Sequence, residues 1–120
     1  MSDVTRMLLG AIFGFLAVLL GAFGAHALKD AVPAESLEWW RTGVLYQMFH
    51  ALLLVGIGIW RPTLRLAPAL ASVGIVLFSG SLYAMTLSGI RALGIVTPFG
   101  GLAFLGAWAA VAWAARSAPP

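Results

Sequence analysis

The stretch YQMFHALLLVGIGIW, from Tyr46 to Trp60, decides the fold of this chain. Between its aromatic ends every residue is apolar or glycine except Gln47 and His50. A helix needs about 20 such residues to cross roughly 30 Å of hydrocarbon, and in lipid an apolar run this long satisfies its backbone as a helix. We therefore interpret the stretch as part of a transmembrane helix that carries two polar side chains inside the membrane.

The composition of the whole chain is that of a membrane protein. Of its 120 residues, 62% are hydrophobic and 9% are charged, and the mean hydropathy is +1.00. Soluble domains contain about 25% charged residues, so we expect the lipid bilayer to surround this chain. The net charge of +3 is small and dispersed, which predicts no nucleic-acid partner. With no cysteine and two histidines, we also expect no disulfide, no metal site and no cofactor.

Charged residues divide the chain into long apolar runs, which predict an all-α integral membrane bundle of four transmembrane helices. The predicted single domain covers residues 1–120, with spans near 7–28, 42–60, 66–88 and 97–115. The first run has features of a secretory signal peptide, because Arg6 precedes it and Ala25-His26-Ala27 is an A-x-A sequence. We favour an uncleaved span, since the apolar core of a signal peptide is usually only about 7–15 residues long.

Positive charges predict the orientation of the bundle. The tight turn between Arg61 and Arg65 is the clearest signal, and we place it with both termini in the cytoplasm. The Ala-rich and Gly-rich composition indicates a bacterial protein of the cytoplasmic (inner) membrane. On the other side, Pro33 and Glu35 are typical of a helix start, which predicts an interfacial extension before the second span.

The segment before the second span also contains a candidate interfacial site. Trp39 and Trp40 mark the predicted outer edge of the membrane, with Trp60 and Trp113 at the inner edge. His26 is predicted near the same outer edge, so the candidate site consists of His26, Trp39 and Trp40. Between a membrane-surface helix and a docking surface for a partner, we favour the former for this segment.

Small residues recur along one face of the first span and predict close helix packing. This helix-packing face comprises Gly10, Gly14, Ala17, Gly21 and Gly24. Such faces let two helix backbones approach closely. The sequence leaves open whether this face packs against another helix of the same chain or forms an interface between copies of the chain. Before the fourth span, Thr97-Pro98 is typical of an N-cap followed by proline at the first helical position.

Several polar side chains are predicted near the middle of the membrane. At a rise of about 1.5 Å per residue, Gln47 and Ser79 lie about 20 Å from Arg61 and Arg65, respectively, and so share one level. His50 lies near the centre of the bilayer. The candidate polar intramembrane cluster comprises Tyr46, Gln47, His50, Ser79 and Tyr83.

Hydrogen bonding between helices and a proton path are both open for this cluster, and we favour hydrogen bonding. Haem bound between two histidines is disfavoured, because His26 and His50 are offset by roughly 10 Å in depth. A hydrolase built on Ser79 and His50 would have no third group to orient the histidine. We therefore predict no enzymatic activity.

Five segments together resemble a known family: GAFGAHAL (21–28), WRTG (40–43), YQMFHA (46–51), LFSGSLY (77–83) and TPFGG (97–101). In this order they resemble the small membrane proteins of domain of unknown function 423, which includes transmembrane protein 256 and UPF0382-like proteins. The resemblance covers roughly residues 7–115 and is specific as a combination. It implies a four-helix integral membrane protein and carries no catalytic residues.

The sequence thus predicts a non-enzymatic multi-pass membrane protein that packs against, or assembles with, itself or another membrane protein. One alternative is a permeation protein for protons, ions or small solutes that uses the polar cluster around His50. Another alternative is a lipid-binding or quinone-binding protein, with a pocket lined by Trp108 and the Gly-rich fourth span.

Overall fold

The structure, a computed structural model, describes residues 3–117 of the chain. This part is helical and contains no strand. A π-helical turn, Gly24–Leu28, extends the first helix, and a second one, Ile75–Ser79, joins α3 to α4. A short 3₁₀ helix, Arg91–Ile95, precedes the last helix. The α-helices are α1 (Asp3–Phe23), α2 (Ala34–Trp60), α3 (Leu66–Gly74), α4 (Gly80–Ser88) and α5 (Thr97–Arg116).

Within the described residues, 4 helical segments are long and apolar enough to cross a membrane. They are Val4–Leu28, Ala34–Trp60, Leu66–Ser88 and Arg91–Arg116. The molecule measures 51 × 25 × 22 Å, so its long axis exceeds the roughly 30 Å of a bilayer core. The predicted all-α bundle of four transmembrane helices is therefore confirmed. The segment predicted as an interfacial extension is the first part of α2, which begins at Ala34 and continues into the span without a break.

The spans pack largely in the order in which they follow one another. α1 packs chiefly along α2, while the third span, formed by α3 and α4, packs on both α2 and α5. α1 therefore lies at one side of the bundle and α5 at the other. Each of these two outer spans buries only 17% of its most apolar window.

The small-residue face of α1 meets α2. A methyl group added at Gly10 would lie 2.7 Å from Cγ2 of Val55, and one added at Gly21 would lie 3.3 Å from Cγ1 of Val44. Ala17 on the same face is fully buried. Of the two uses that the sequence leaves open, the structure thus shows packing within the chain.

Trp40 is part of the core rather than of an aromatic belt. Its side chain is 2% exposed, and its indole nitrogen donates a hydrogen bond of 2.8 Å to the carbonyl oxygen of Leu20. Trp40 therefore does not face the lipid as a residue of an aromatic belt would, whereas its depth near the outer edge stays a prediction. The physical reason is Gly24, whose missing side chain leaves the space that the indole ring fills.

The start of α5 also differs from the prediction. Thr97 is the first residue of the helix, and its hydroxyl bonds the Ser81 hydroxyl of α4 and does not cap the helix. The prediction of an N-cap at Thr97 is wrong, because this contact between helices takes the hydroxyl. Pro98 does lie in the first turn, where its missing N–H costs no intrahelical bond.

Candidate functional site

Gln47 links three of the four spans. Its side chain on α2 is 3% exposed. The amide nitrogen donates to the carbonyl oxygen of Phe13 on α1 over 2.8 Å. The amide oxygen accepts a hydrogen bond of 2.7 Å from the hydroxyl of Tyr83 on α4. Both ends of this amide are thus engaged in holding the bundle together.

Two hydroxyl groups of the third span donate to backbone carbonyls of α2. Ser79 is fully buried, and its hydroxyl lies 2.6 Å from the carbonyl oxygen of Gly43. The Thr86 hydroxyl is shared between the carbonyl oxygen of Ser36, at 3.0 Å, and that of Leu82 on its own helix, at 2.8 Å. Gly43 permits this approach, because a methyl group there would lie 2.8 Å from the Tyr83 ring.

His50 faces α5, and both of its ring nitrogens have partners. Nδ1 lies 2.7 Å from the carbonyl oxygen of Tyr46, and Nε2 lies 3.0 Å from the indole nitrogen of Trp108. A carbonyl can only accept a hydrogen bond and an indole N–H can only donate one. The contacts therefore assign a neutral imidazole with its proton on Nδ1. The ring also stacks on Phe104, with 3.6 Å between the centroids.

The predicted polar cluster is consequently divided into two parts. Gln47, Ser79 and Tyr83 join α2 to the third span, whereas His50 turns towards α5. Within residues 3–117, His50 forms no hydrogen bond with Gln47, Ser79 or Tyr83, because the Tyr46 carbonyl engages Nδ1 and the Trp108 indole engages Nε2. For the same reason Ser79 and His50 form no nucleophile–base pair, since the Ser79 hydroxyl donates to Gly43.

Trp108 is the partner that sequence reasoning did not connect to His50. The two residues are 58 positions apart, and the sequence places Trp108 only in a possible pocket lining. Their similar depth could have suggested the contact, because each residue lies near the middle of its own span. Depth does not determine which face of α5 is turned towards α2.

Tyr46 differs from the other members of the cluster. Its side chain is 40% exposed, and its ring packs on Phe78 with 4.6 Å between centroids. Among residues 3–117, no hydrogen bond involves its hydroxyl. Tyr46, His50 and Trp108 line two adjoining hollows between α2 and α5, of about 570 and 540 Å³.

The three residues of the candidate interfacial site have separate environments. His26 is exposed on the π-helical turn after α1, while Trp40 is buried in the core. The Trp39 ring lies under the guanidinium of Arg91, 5.4 Å from its centroid. Arg91 also forms a bidentate ion pair with Glu35, with distances of 2.9 and 2.8 Å. This clasp holds the 3₁₀ helix against the start of α2.

Metal ligands do not cluster in the described part of the chain. Among residues 3–117, no group of three or more His, Asp or Glu side chains is placed to hold a metal ion. The chain contains no cysteine.

These features define a small multi-pass membrane protein whose four spans are joined by a few specific hydrogen bonds. Residues 20–101 match the family described as "Protein of unknown function (DUF423)", and the chain belongs to this family. It is 45% identical over 119 residues to UPF0382 membrane protein YwdK of Bacillus subtilis strain 168. The aligned region covers 91% of this chain and 94% of that relative.

A second relative is UPF0382 inner membrane protein YgdD of Escherichia coli strain K12. It is 42% identical over 117 residues, which cover 91% of this chain and 87% of that protein. No solved structure matches the chain significantly. The family resemblance is confirmed, and the protein is a multi-pass protein of the bacterial inner membrane.

Proposed function

We propose that the protein is a non-enzymatic accessory protein, which acts by associating with other transmembrane helices. One observation carries this proposal: the buried polar side chains of the spans bond within the chain. Among them are Gln47, His50 and Ser79, and the half-buried Tyr83 bonds to Gln47 as well. Acid–base or nucleophilic catalysis needs groups that can reach a substrate, and a permeation path needs groups that face a channel. The arrangement therefore favours association over chemistry or transport.

The surface that we propose for association is the hollow between α1 and α2, of about 580 Å³. It is lined by Ala11 and Gly14, by larger apolar residues such as Phe15 and Val18, and by Gly10 where that residue packs against Val55. Small residues let a further helix backbone approach closely, which is how helices associate in lipid. The occupant that we propose is a transmembrane helix of a second copy of the chain, and a helix of another membrane protein is the other outcome of the test below.

Native mass spectrometry of the protein released gently from its membrane tests this proposal with Gly14→Leu. A methyl group at Gly14 meets only Cβ of Ala51, at an ordinary 3.8 Å, so the added side chain changes the hollow more than the α1–α2 contact. We expect an assembly larger than the monomer for the parent protein and a monomer for Gly14→Leu.

Gly56→Leu on α2 is the matched control, because a methyl group at Gly56 meets nothing within 4 Å and this residue lies outside the hollow. It should assemble like the parent. The proposal is wrong if the parent is monomeric, or if Gly14→Leu assembles normally with an unchanged unfolding midpoint.

A flux assay in liposomes addresses the permeation alternative. We expect protein-containing liposomes to pass protons and small solutes no faster than empty ones. A flux that is present in the parent and lost in His50→Ala would replace our proposal with a permeation function.

We also propose that both termini face the cytoplasm. Arg61 and Arg116 lie at one end of the bundle, where Arg61 donates to the carbonyl oxygen of Ala114 over 2.8 Å. The guanidinium of Arg116 lies 3.8 Å from the Trp113 ring centroid. Arginines beside short turns favour the cytoplasmic side. A C-terminal green fluorescent protein fusion should fluoresce in cells, and a C-terminal alkaline phosphatase fusion should be inactive; the reverse pattern would invert the topology.

A further inference from the structure

A further hollow lies between the third span and α5, at the end of the bundle that carries Arg61, which we call the Arg61 end. It measures about 500 Å³ and is lined by apolar residues and glycine, with Leu70 on the third span and Gly106 on α5 facing each other across it. From Ala114 to Gly106 the lining follows α5 over about 12 Å of helix rise. The hollow therefore runs from the membrane edge into the hydrocarbon, as a lipid acyl chain does.

Two arginines flank the mouth of this hollow. Arg65 lies between Leu64 and Leu66, which both line it. The guanidinium of Arg116 lies 3.8 Å from the ring centroid of Trp113, another lining residue. Both arginines are exposed, and within residues 3–117 neither forms an ion pair. The mouth of the hollow thus has two positive charges that no carboxylate of the described part neutralises.

The Arg61 end is positively charged as a whole. Of the seven basic residues, four belong to this end by their positions along the chain: Arg6, Arg61, Arg65 and Arg116. Of the four acidic residues, the sequence places only Asp3 there. The other three follow the first span or lie early in α2, at the opposite end: Asp30, Glu35 and Glu38. Because basic residues at a membrane surface attract anionic lipids, this end favours a negatively charged ligand.

Charge distinguishes the occupants that an apolar hollow at this depth could take. A neutral ligand gains nothing from the two arginines, and a zwitterionic lipid brings a cation of its own beside its phosphate. A second copy of the chain in the same orientation would bring the same positive end to this level, where like charges repel. An anionic phospholipid fits both parts of the site, because its acyl chain matches the lining and its phosphate matches the guanidinium groups.

We infer that the hollow between the third span and α5 binds an anionic phospholipid. Its phosphate lies between Arg65 and Arg116, and one acyl chain follows the hollow towards Gly106. The contact with the Trp113 ring holds the Arg116 guanidinium at the level of the headgroup. This binding site is separate from the α1–α2 hollow proposed for association, and it does not depend on that proposal.

The test is native mass spectrometry of the delipidated full-length protein, titrated with dioleoyl-phosphatidylglycerol or with dioleoyl-phosphatidylcholine. We expect one phosphatidylglycerol per chain, and phosphatidylcholine binding that is at least about tenfold weaker. Arg65→Gln and Arg116→Gln should each weaken phosphatidylglycerol binding about fivefold and leave phosphatidylcholine binding unchanged. Arg41→Gln is the matched control, because it removes an exposed arginine outside the hollow, near the opposite end. It should change neither affinity.

Ala109→Phe tests the apolar part of the site independently. Ala109 lines the hollow and is exposed, so the fold has room for the larger ring, which would occupy the space of the acyl chain. We expect Ala109→Phe to lose phosphatidylglycerol binding and Gly14→Leu, in the α1–α2 hollow, to retain it. Equal affinity of the parent for the two lipids would overturn the inference, and so would full binding by Ala109→Phe. Equal losses in Arg41→Gln and Arg65→Gln would overturn it as well, because the attraction would then come from the total charge of the protein.

Discussion

The hydroxyl of Tyr83 lies 2.7 Å from the amide oxygen of Gln47 and donates a hydrogen bond to it, linking α4 to α2. The same amide donates to Phe13 on α1, so one side chain connects three spans. Hydrogen bonds between transmembrane helices contribute roughly 0.6–2 kcal/mol each, because the unfolded chain in the membrane also finds partners. Removal of the Gln47 side chain should therefore weaken the contacts of α2 with two other spans.

We predict that Tyr83→Phe lowers the free energy of unfolding by about 0.6–1.5 kcal/mol, since it removes one hydrogen bond. Gln47→Leu removes two hydrogen bonds and should cost about twice as much. The loss in the double variant should fall short of the sum of the two single losses, because both variants delete the same bond. Reversible unfolding in mixed detergent micelles measures all three values. If the two single losses added up fully in the double variant, Tyr83 and Gln47 would not be hydrogen-bonded to each other.

The assigned tautomer of His50 is open to a spectroscopic test. We expect the ¹⁵N chemical shifts to show a neutral ring protonated at Nδ1, because the Trp108 indole occupies Nε2. Trp108→Phe removes this donor and should cost about 1–2 kcal/mol of stability, since the buried Nε2 loses its partner. Trp113→Phe is the control, because Trp113 is exposed at the Arg61 end. A ring protonated at Nε2 in the parent would refute the assignment.

Close packing of α1 on α2 predicts a steric effect at Gly10. A methyl group there would lie 2.7 Å from Cγ2 of Val55 and 3.0 Å from the carbonyl oxygen of Ala51. We expect Gly10→Ala to destabilise the protein by about 1–3 kcal/mol, the usual cost of overpacking. Gly56→Ala has no neighbour within 4 Å and should be neutral or slightly stabilising. Equal unfolding midpoints in thermal denaturation for the two variants would show that α1 and α2 are not in this contact.

The clasp between Glu35 and Arg91 should contribute little despite its bidentate geometry. The two side chains are 54% and 71% exposed, and exposed ion pairs contribute only about 0–1 kcal/mol. We predict that Glu35→Gln changes the unfolding free energy by less than about 1 kcal/mol, and that any change shrinks at high salt. Glu38→Gln is the matched control on the same helix. A loss well above this limit would mean that the clasp is shielded from solvent by the surrounding membrane interface.

Part of this structure could be predicted from residue order alone. The length of each apolar run determines the number of spans, because the thickness of the bilayer is fixed. Counting the rise per residue also places Gln47 and Ser79 at one level, and the structure brings their neighbourhoods together. Depth is thus readable from sequence, since it depends only on distance along a helix axis.

Rotation about the helix axis could not be predicted in the same way. The π-helical turn Ile75–Ser79 inserts an extra residue and changes which side chains of α4 face α2. No residue type in this segment predicts a π-helical turn. Trp40 presents a similar difficulty, because a tryptophan near the end of a span fits both the interface and the core. Only the space beside Gly24 shows that Trp40 lies in the core. Gly24 is on the first span, so the sequence around Trp40 gives no sign of this space.

The neighbour-to-neighbour packing of the spans has a consequence for biosynthesis. Because α1 packs chiefly on α2, the first hairpin has almost its whole interface as soon as the second span enters the membrane. The third span then finds a formed surface on α2 for its second half, and its first half packs mainly on the fourth span, which follows next in the chain. The bond from Arg61 to Ala114 joins residues 53 positions apart and closes only when translation is nearly complete. The order of synthesis and the order of assembly therefore coincide, and little apolar helix surface has to wait for a distant partner.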